Sequence, residues 1–436
     1  MPVVTRLRVG ISGYAARAGR SSVFAPVCIG AIWVAVLVAM VAHPTFISDD
    51  SAESYAHVWY LARALFTLHE WPFHVALLAN GQAIMFPYGW VPWVPDALLY
   101  PAFGNAAVTF SMALGVVLLV VSVLVYLPAL REARLFALFL LNVQLWNSVT
   151  QFELPTIWAL TLAFFGSAAA ARRRWPLAIV LLALAIAAHP QVGTAAIGTI
   201  IICVTVHEHR LPRGLLACGA VAAVLASPSY WLLASGPVVG EANRVLLALS
   251  FLDNFRRLSI VLLAVVLAAY PAFFLRHFAK VAALGTAMTA VYLLLLPPSG
   301  LWESTRPQFS AYLQQHPISA QGSYRVLVKN NYKTGMIEFM KAGAVLSTEL
   351  FPESIRRQSF PSVKSYACFL ATSDVGDVVI TGDYQRLYHT NELQLLDQLA
   401  EAGQATRDYV GPDGTLGFRI VLPSSDRRPS VRDCGL

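Results

Sequence analysis

Two adjacent carboxylates, Asp49 and Asp50, close the first long apolar run and open the most chemically dense stretch of the chain. A carboxylate that takes the proton of a hydroxyl turns a poor nucleophile into a useful one. Asp50 has a competing duty, because with Glu53 three residues on it makes a capping-box pattern for the helix that follows. Asp49 has no such duty. An acid where a span leaves the bilayer is costly unless solvated or used, so Asp49 is the stronger base candidate. Along the next segment Tyr55, Val58, Trp59, Ala62, Leu65 and Phe66 recur at helical spacing and predict one apolar face. That pattern fits a helix lying flat at the membrane surface, with His57 on it as a candidate substrate contact. Farther on, Trp71-Pro72-Phe73-His74, Gly81 and the run from Phe86 to Asp96 combine turn-forming residues with aromatic rings. Trp90 and Trp93 read either as part of a headgroup-level aromatic belt or as a stacking floor for a sugar ring or isoprenoid chain.

Other chemistry-bearing residues lie between apolar runs. Glu153 and His189 each tip a short hairpin, and Arg244, Arg256 and Arg257 occupy one later loop. The planar arginine fork binds phosphate oxygens two at a time; simple attraction to anionic lipid heads is the alternative for Arg256 and Arg257. His69-Glu70 does not begin a zinc-protease helix, because the next histidine, His74, is five positions on and would leave the shared face. Phosphate-loop, dinucleotide and nucleophile-elbow patterns are all missing from the sequence. No cofactor is required by these residues, and whether a divalent metal is used stays open.

These residues need elements to position them, and composition says of what kind. The chain of 436 residues is 57% hydrophobic and only 13% charged, about half the charged content of a soluble domain. Residues 1–298 hold 17 Lys+Arg against 10 Asp+Glu, whereas 299–436 hold 14 of each. The net charge of +7 therefore sits in short loops between apolar runs, which points to a membrane and away from nucleic acid.

Apolar runs fall at 22–43, 105–130, 135–150, 156–171, 175–189, 192–207, 214–234, 258–275 and 281–297. Several reach the roughly 20 residues needed to cross a bilayer, and the four from 135 to 207 are shorter. With nine spans and a cytoplasmic N-terminus (residues 1–21), 13 basic residues of this part fall inside and four outside, as the positive-inside rule requires. A seven-span alternative would strand Glu153 or Arg172–Arg174 in lipid. The first run exceeds the roughly 7–15-residue apolar core of a signal peptide and reads as an uncleaved anchor. An odd number of spans places everything after residue 298 outside, and 44–104 becomes a long first outer loop.

With these features in view, the chain resembles the GT-C class of membrane glycosyltransferases. More narrowly, it resembles the bacterial membrane proteins called 6-pyruvoyl-tetrahydropterin-synthase-related. The resemblance is carried by Asp49-Asp50, Trp71-Pro72, Gly81 to Pro87-Tyr88, Ala188-His189-Pro190, Tyr324-Arg325-Val326-Leu327 and Gly376-Asp377-Val378-Val379-Ile380. It implies a polytopic helical domain over 22–298, in the bacterial cytoplasmic membrane. It also implies transfer of a sugar from a polyprenyl-phosphate carrier to a glycan or other envelope acceptor outside. On this resemblance Asp49 (or Asp50) is the base, and Glu153 helps or binds a metal. Placing Arg256 or Arg257 on the carrier phosphate rests on arginine chemistry alone.

Residues 299–422 read as a small α/β domain, with strands at 324–328 and 378–381, helices at 334–342, 363–372 and 392–402, and a hairpin of 407–410 with 417–422. Asp383, Tyr384 and His389 read as turn and surface residues, and 423–436 as a disordered tail. Cys368 and Cys434 share this outer part and could pair. A non-catalytic scaffold of an envelope complex is the main alternative function. A transporter ranks last, because the spans are nearly free of charge and show no repeat.

Overall fold

The computed structural model describes residues 21–42, 51–72, 74–75, 77, 82–83, 89–234, 256–295, 307–318, 323–327, 334–346, 360–372, 374–380 and 391–421. Asp49, Asp50, Arg244, Asp383, Tyr384, His389, Cys434 and the tail after 422 lie outside these. The chain divides into two compact units: Met1–Thr45 with Pro87–Trp231 and Ser250–Pro298, and Phe46–Phe86 with Leu232–Leu249 and Ser299–Leu436.

The first unit is helical throughout its described residues. Its helices are α1 (Ser21–Ala42), then, beyond one helix of the second unit, α3 (Trp93–Phe103), α4 (Ala106–Tyr126), α5 (Ala133–Leu140), α6 (Val143–Thr150) and α7 (Leu154–Ala171). There follow α8 (Trp175–Ala188), α9 (Pro190–Glu208), α10 (Arg213–Leu225), α11 (Ser227–Ala234), α12 (Ser259–Ala269), α13 (Pro271–Arg276) and α14 (Phe278–Leu295). Five of them, α1, α4, α7, α9 and α14, are long and apolar enough to cross a membrane. Val34, Val38, Ile202, Val224 and Leu294 are among many large apolar side chains that stand exposed on these helices and on α10. Faces of that kind and extent need lipid rather than water around them, and the chain is a multi-pass membrane protein.

Two details differ from the sequence expectation. The helices expected to start at 156 and 192 begin instead at Leu154 and Pro190, because Pro155 and Pro190 sit in the first turn, where a missing N–H costs nothing. The run at 135–150, expected as one span, is broken into α5 and α6. Asn142 makes the break, its side chain accepting from Leu145 N at 3.0 Å to cap α6. Groups freed at the break find partners in other segments. Leu140 O accepts from the indoles of Trp33 (3.0 Å) and Trp146 (2.9 Å), Leu141 O accepts from Thr289 Oγ1 (3.3 Å), and the Asn142 side-chain Nδ2 donates to Ser259 O (3.3 Å). The runs at 214–234 and 258–275 are likewise each two helices.

Helix α7 forms the centre of the unit, buried along most of its length. It runs parallel to α4: Trp158 reaches Ser111, Thr161 donates to Gly115 O, and Arg172 donates to Val125 O. The chain between them must therefore climb back the full height, which α5 and α6 do together.

In the second unit, α2 (Ser51–Arg63) ends in a single π-turn, Ala64–Leu68. The expectation of a surface-lying amphipathic helix is corrected here. Tyr55, Ala56, His57, Val58, Leu61 and Ala62 are all buried, so the helix is covered well beyond the apolar stripe. Part of that cover is α16 (Thr334–Lys341), which follows α15 (Pro307–Gln315). A short ribbon pairs β1 (His74–Val75) with β2 (Gln82–Ala83), and Leu346 N donates to Leu77 O beside it. The main sheet runs β3-β4-β6-β5, from Ser323–Leu327, Val375–Ile380, Leu416–Ile420 and Ala405–Val410. β3 is parallel to β4, and the rest is antiparallel. Helices α17 (Val363–Thr372) and α18 (Glu392–Glu401) bury Tyr366, Phe369, Leu396 and Leu399 against Val378 and Phe418. Cys368 on α17 is disulfide-bonded, whereas Cys28, Cys203 and Cys218 are free.

Candidate functional site

The turn from α6 to α7 is tight. Phe152, fully buried, takes a left-handed conformation (φ 58°), and Glu153 N then donates to Ser148 O at 2.8 Å. A bulky residue in that region costs roughly 1–2 kcal/mol, a strain that is held only where the surroundings enforce it. Its effect is to turn Glu153 inward, where it is 2% exposed.

Around that carboxylate the unit builds a polar cluster. Ser148 Oγ donates to Glu153 Oε2 at 2.7 Å, and Asn147 approaches Oε1 at 3.5 Å. Tyr292 of α14 donates to Asn147 Oδ1 at 2.7 Å and so ties this helix in. Arg257 Nη2, buried, donates to Glu153 Oε1 at 2.8 Å; Arg256 Nη2, on a half-exposed side chain, stands 3.6 Å from the same oxygen. His189 caps α9, its Nδ1 accepting from Val192 N at 3.4 Å. Burial, and then the charge of Arg257, hold its imidazole well below the usual range, so it is neutral. Two guanidinium groups thus face one carboxylate.

The aromatic loop docks at the same end. Gly89 N donates to Ala188 O at 3.0 Å, next to His189, and Tyr230 OH donates to Pro190 O at 2.8 Å. A Cβ at position 89 would stand 1.9 Å from Ala187 O, so only glycine allows this approach. Trp90 is part-exposed, but Trp93 is fully buried. Trp93 therefore packs inside the unit and is not a stacking floor, a correction to the sequence expectation. Its neighbour Asp96 went unremarked as a site in the sequence. It is 2% exposed and hydrogen-bonded to Ser111, its Oδ2 has no hydrogen-bond partner, and burial holds its carboxyl well above the ordinary range.

The opposite end of the α4–α7 pair has a different character. Arg131 donates to Leu124 O and Arg172 to Val125 O, both at the C-terminus of α4, while Glu132 caps α5 and pairs with Arg134 at 2.9 Å. The inward glutamate and the outlying basic loops thus lie at opposite ends of one helix pair.

In the second unit His57 is fully buried. A separate polar cluster, unforeseen from the sequence, gathers residues from the end of α15 and from β4, β5 and β6. His316 stacks on Tyr312 (4.9 Å), Tyr409 meets both rings edge-on, and Arg419 lies 3.8 Å from Asp377 and 3.7 Å from Asp408. Burial raises the Asp377 acid, offset in part by Arg419. Among the described residues no three His, Cys, Asp or Glu side chains converge as a metal site.

Comparison with known proteins yields no matching family and no matching curated protein. Among solved structures the chain is similar to ArnT from Cupriavidus metallidurans, both bound to undecaprenyl phosphate and in the apo state. The TM-score is 0.49 in each case, with 14% and 15% identity over 90% of this chain and 97% of the other. At that overlap and identity the likeness assigns no function.

Proposed function

We propose that this chain is a GT-C-type glycosyltransferase of the bacterial cytoplasmic membrane, moving a sugar from a polyprenyl-phosphate carrier to an envelope acceptor outside. The observation that carries the reading is the pair of guanidinium groups, Arg257 and Arg256, gathered on the Glu153 carboxylate among apolar helices beside the docked aromatic loop. A phosphate headed by a sugar and tailed by an isoprenoid asks for that combination of cation, ring and lipid.

In the proposed step the acceptor hydroxyl gives its proton to Asp49 (or Asp50) and its oxygen bonds to the anomeric carbon of the sugar. The bond from that carbon to the carrier phosphate breaks, and the phosphate leaves with the electron pair. Arg256 compensates the charge on the leaving phosphate, and Trp90 stacks on the sugar or the lipid. His189, neutral, offers a hydrogen bond rather than a charge, and Arg244 is a further substrate contact; His57, fully buried, is left out of this set. Glu153 accepts from Arg257 and Ser148, so it serves as an orienting counter-ion and not as a second base.

The topology proposed with this reading puts the N-terminus inside and residues after 298 outside. The outlying basic residues at the far end of α4 and α7 fit the inner face. A disulfide at Cys368 fits an oxidising outer compartment. The test is turnover of a polyprenyl-phosphate-sugar library by purified wild type, Asp49→Asn and Asp50→Asn. Loss in one variant, with unchanged melting, identifies the base. One observation favours the scaffold alternative, namely that the Glu153 carboxylate is already committed to internal partners. Consumption of no donor by wild type would put that alternative first.

A further inference from the structure

Independently of the transferase reading, we infer that the end of the first unit remote from Glu153 carries a binding site for an anionic phospholipid, formed by Arg173, Arg174, Arg210, Arg213 and Trp175. Helix α7 closes at that end, Arg173 N donating to Ala170 O and Arg174 N to Ala169 O, both at 2.9 Å. Helix α8 starts at once with Trp175, whose ring lies over Gly214 in the first turn of α10; a Cβ at 214 would stand 2.5 Å from it. That contact brings Arg173 and Arg174, just before α8, beside Arg210 and Arg213 at the start of α10. All four arginines are exposed. Among the described residues no carboxylate pairs with any of them, and neither first turn holds an acid.

These arginines do nothing for the fold. Their neighbours are used internally: Arg131 and Arg172 donate to carbonyls that end α4, and Arg134 pairs with Glu132. The four instead repel one another, and at helix starts they oppose the dipole as well. The anion that suits them comes from outside the chain, and what surrounds the charge selects a lipid over a soluble ion. Trp175 is exposed, and so are Leu177 and Val180 of α8, Leu211 just before α10, and Leu216 and Val221 within it. Planar guanidinium forks take the oxygens of a phosphate. A tryptophan at headgroup level and apolar helix faces beyond it complement the glycerol and acyl chains.

The experiment titrates phosphatidylglycerol into the full chain in neutral detergent, resolving bound lipid by native mass spectrometry and following thermal melting in parallel. Wild type is expected to hold phosphatidylglycerol in preference to phosphatidylcholine and to melt higher with it. Arg174→Gln combined with Arg213→Gln is expected to weaken that binding by about 25-fold, about fivefold for each arginine at a lipid surface. Without lipid the same double variant is expected to melt no lower than wild type, because it relieves charges set against the helix dipoles. Arg276→Gln combined with Lys280→Gln removes the same charge from exposed residues of α13 and α14 and is expected to leave binding unchanged. Equal weakening by the two double variants would mean diffuse attraction and overturn the site, as would wild type with no preference for phosphatidylglycerol. Inorganic phosphate that raises melting as far as the lipid does would overturn the lipid as occupant. If the double variant does not fold, Arg213→Gln alone carries the test, at about fivefold.

Discussion

In a Gly89→Ala variant the new methyl carbon would stand 1.9 Å from Ala187 O and 2.3 Å from Ala188 O. Both are backbone atoms of the last turn of α8, so neither can swing aside as a side-chain tip would. Reaching an ordinary C···O separation of roughly 3.3 Å requires the loop to retreat by more than about 1 Å. That retreat breaks the Gly89 N–H bond to Ala188 O, now 3.0 Å. Overpacking of this kind costs roughly 1–3 kcal/mol, and a buried backbone pair left unmade adds about 1–3, for a total of roughly 2–6 kcal/mol. Gly198→Ala in α9 is the control: nothing lies within 4 Å of its new carbon, and alanine favours the helix by up to about 1 kcal/mol. Tryptophan-monitored thermal unfolding in detergent should show Gly89→Ala melting well below wild type and Gly198→Ala at or above it. Transfer activity, where present, should fall with Gly89→Ala, because the loop carrying Trp90 is displaced from beside His189. A Gly89→Ala protein that melts with wild type would refute the close docking of loop on helix.

Two further outcomes follow from the same unit. Asp96 keeps in the folded state a proton that the unfolded chain releases near pH 3.9. The stability it contributes is therefore full in acid and is lost as pH climbs from about 4 through its raised folded value. Melting curves from pH 5 to 9 should fall more steeply for wild type than for Asp96→Asn, and parallel curves would refute the assignment. Arg257→Met and Glu153→Leu should each cost about 3–5 kcal/mol by removing one partner of a buried ion pair. The double variant should cost less than their sum by more than about 1 kcal/mol, whereas strict additivity in unfolding would mean the pair is not coupled.

Much of the architecture was legible because local rules decide it. Helix α17 follows 363–372 as the apolar spacing predicts, and α18 stops at Gly403, which takes φ 71° as a helix-ending glycine does. What escaped was set by partners distant in the chain. Nothing near Glu153 announces that Arg257, 104 residues on, neutralises it. Trp93 looked like Trp90 in sequence; only packing separates the buried ring from the part-exposed one. Periodicity shows the apolar stripe on α2, but Ala56 and His57 lie beyond it and are buried because other segments cover them, which periodicity cannot reveal. The Tyr312–Asp377–Asp408 cluster escaped for the same reason, since its members come from one helix and two strands and are neighbours only once the sheet has formed.

The break between α5 and α6 has a consequence for how the protein is made. In lipid a helix interruption is tolerable only when its backbone groups find partners in neighbouring helices. Here the partners arrive on very different schedules: Trp33 emerges from the ribosome 107 residues before Leu140, whereas Ser259 and Thr289 emerge 117 residues after Asn142 and 148 after Leu141. Until α12 and α14 have been synthesised, Leu141 O and the Asn142 side-chain amide lack these partners. Chains interrupted before residue 289 should therefore be recognised as unfinished at this one seam, however well their earlier helices are formed.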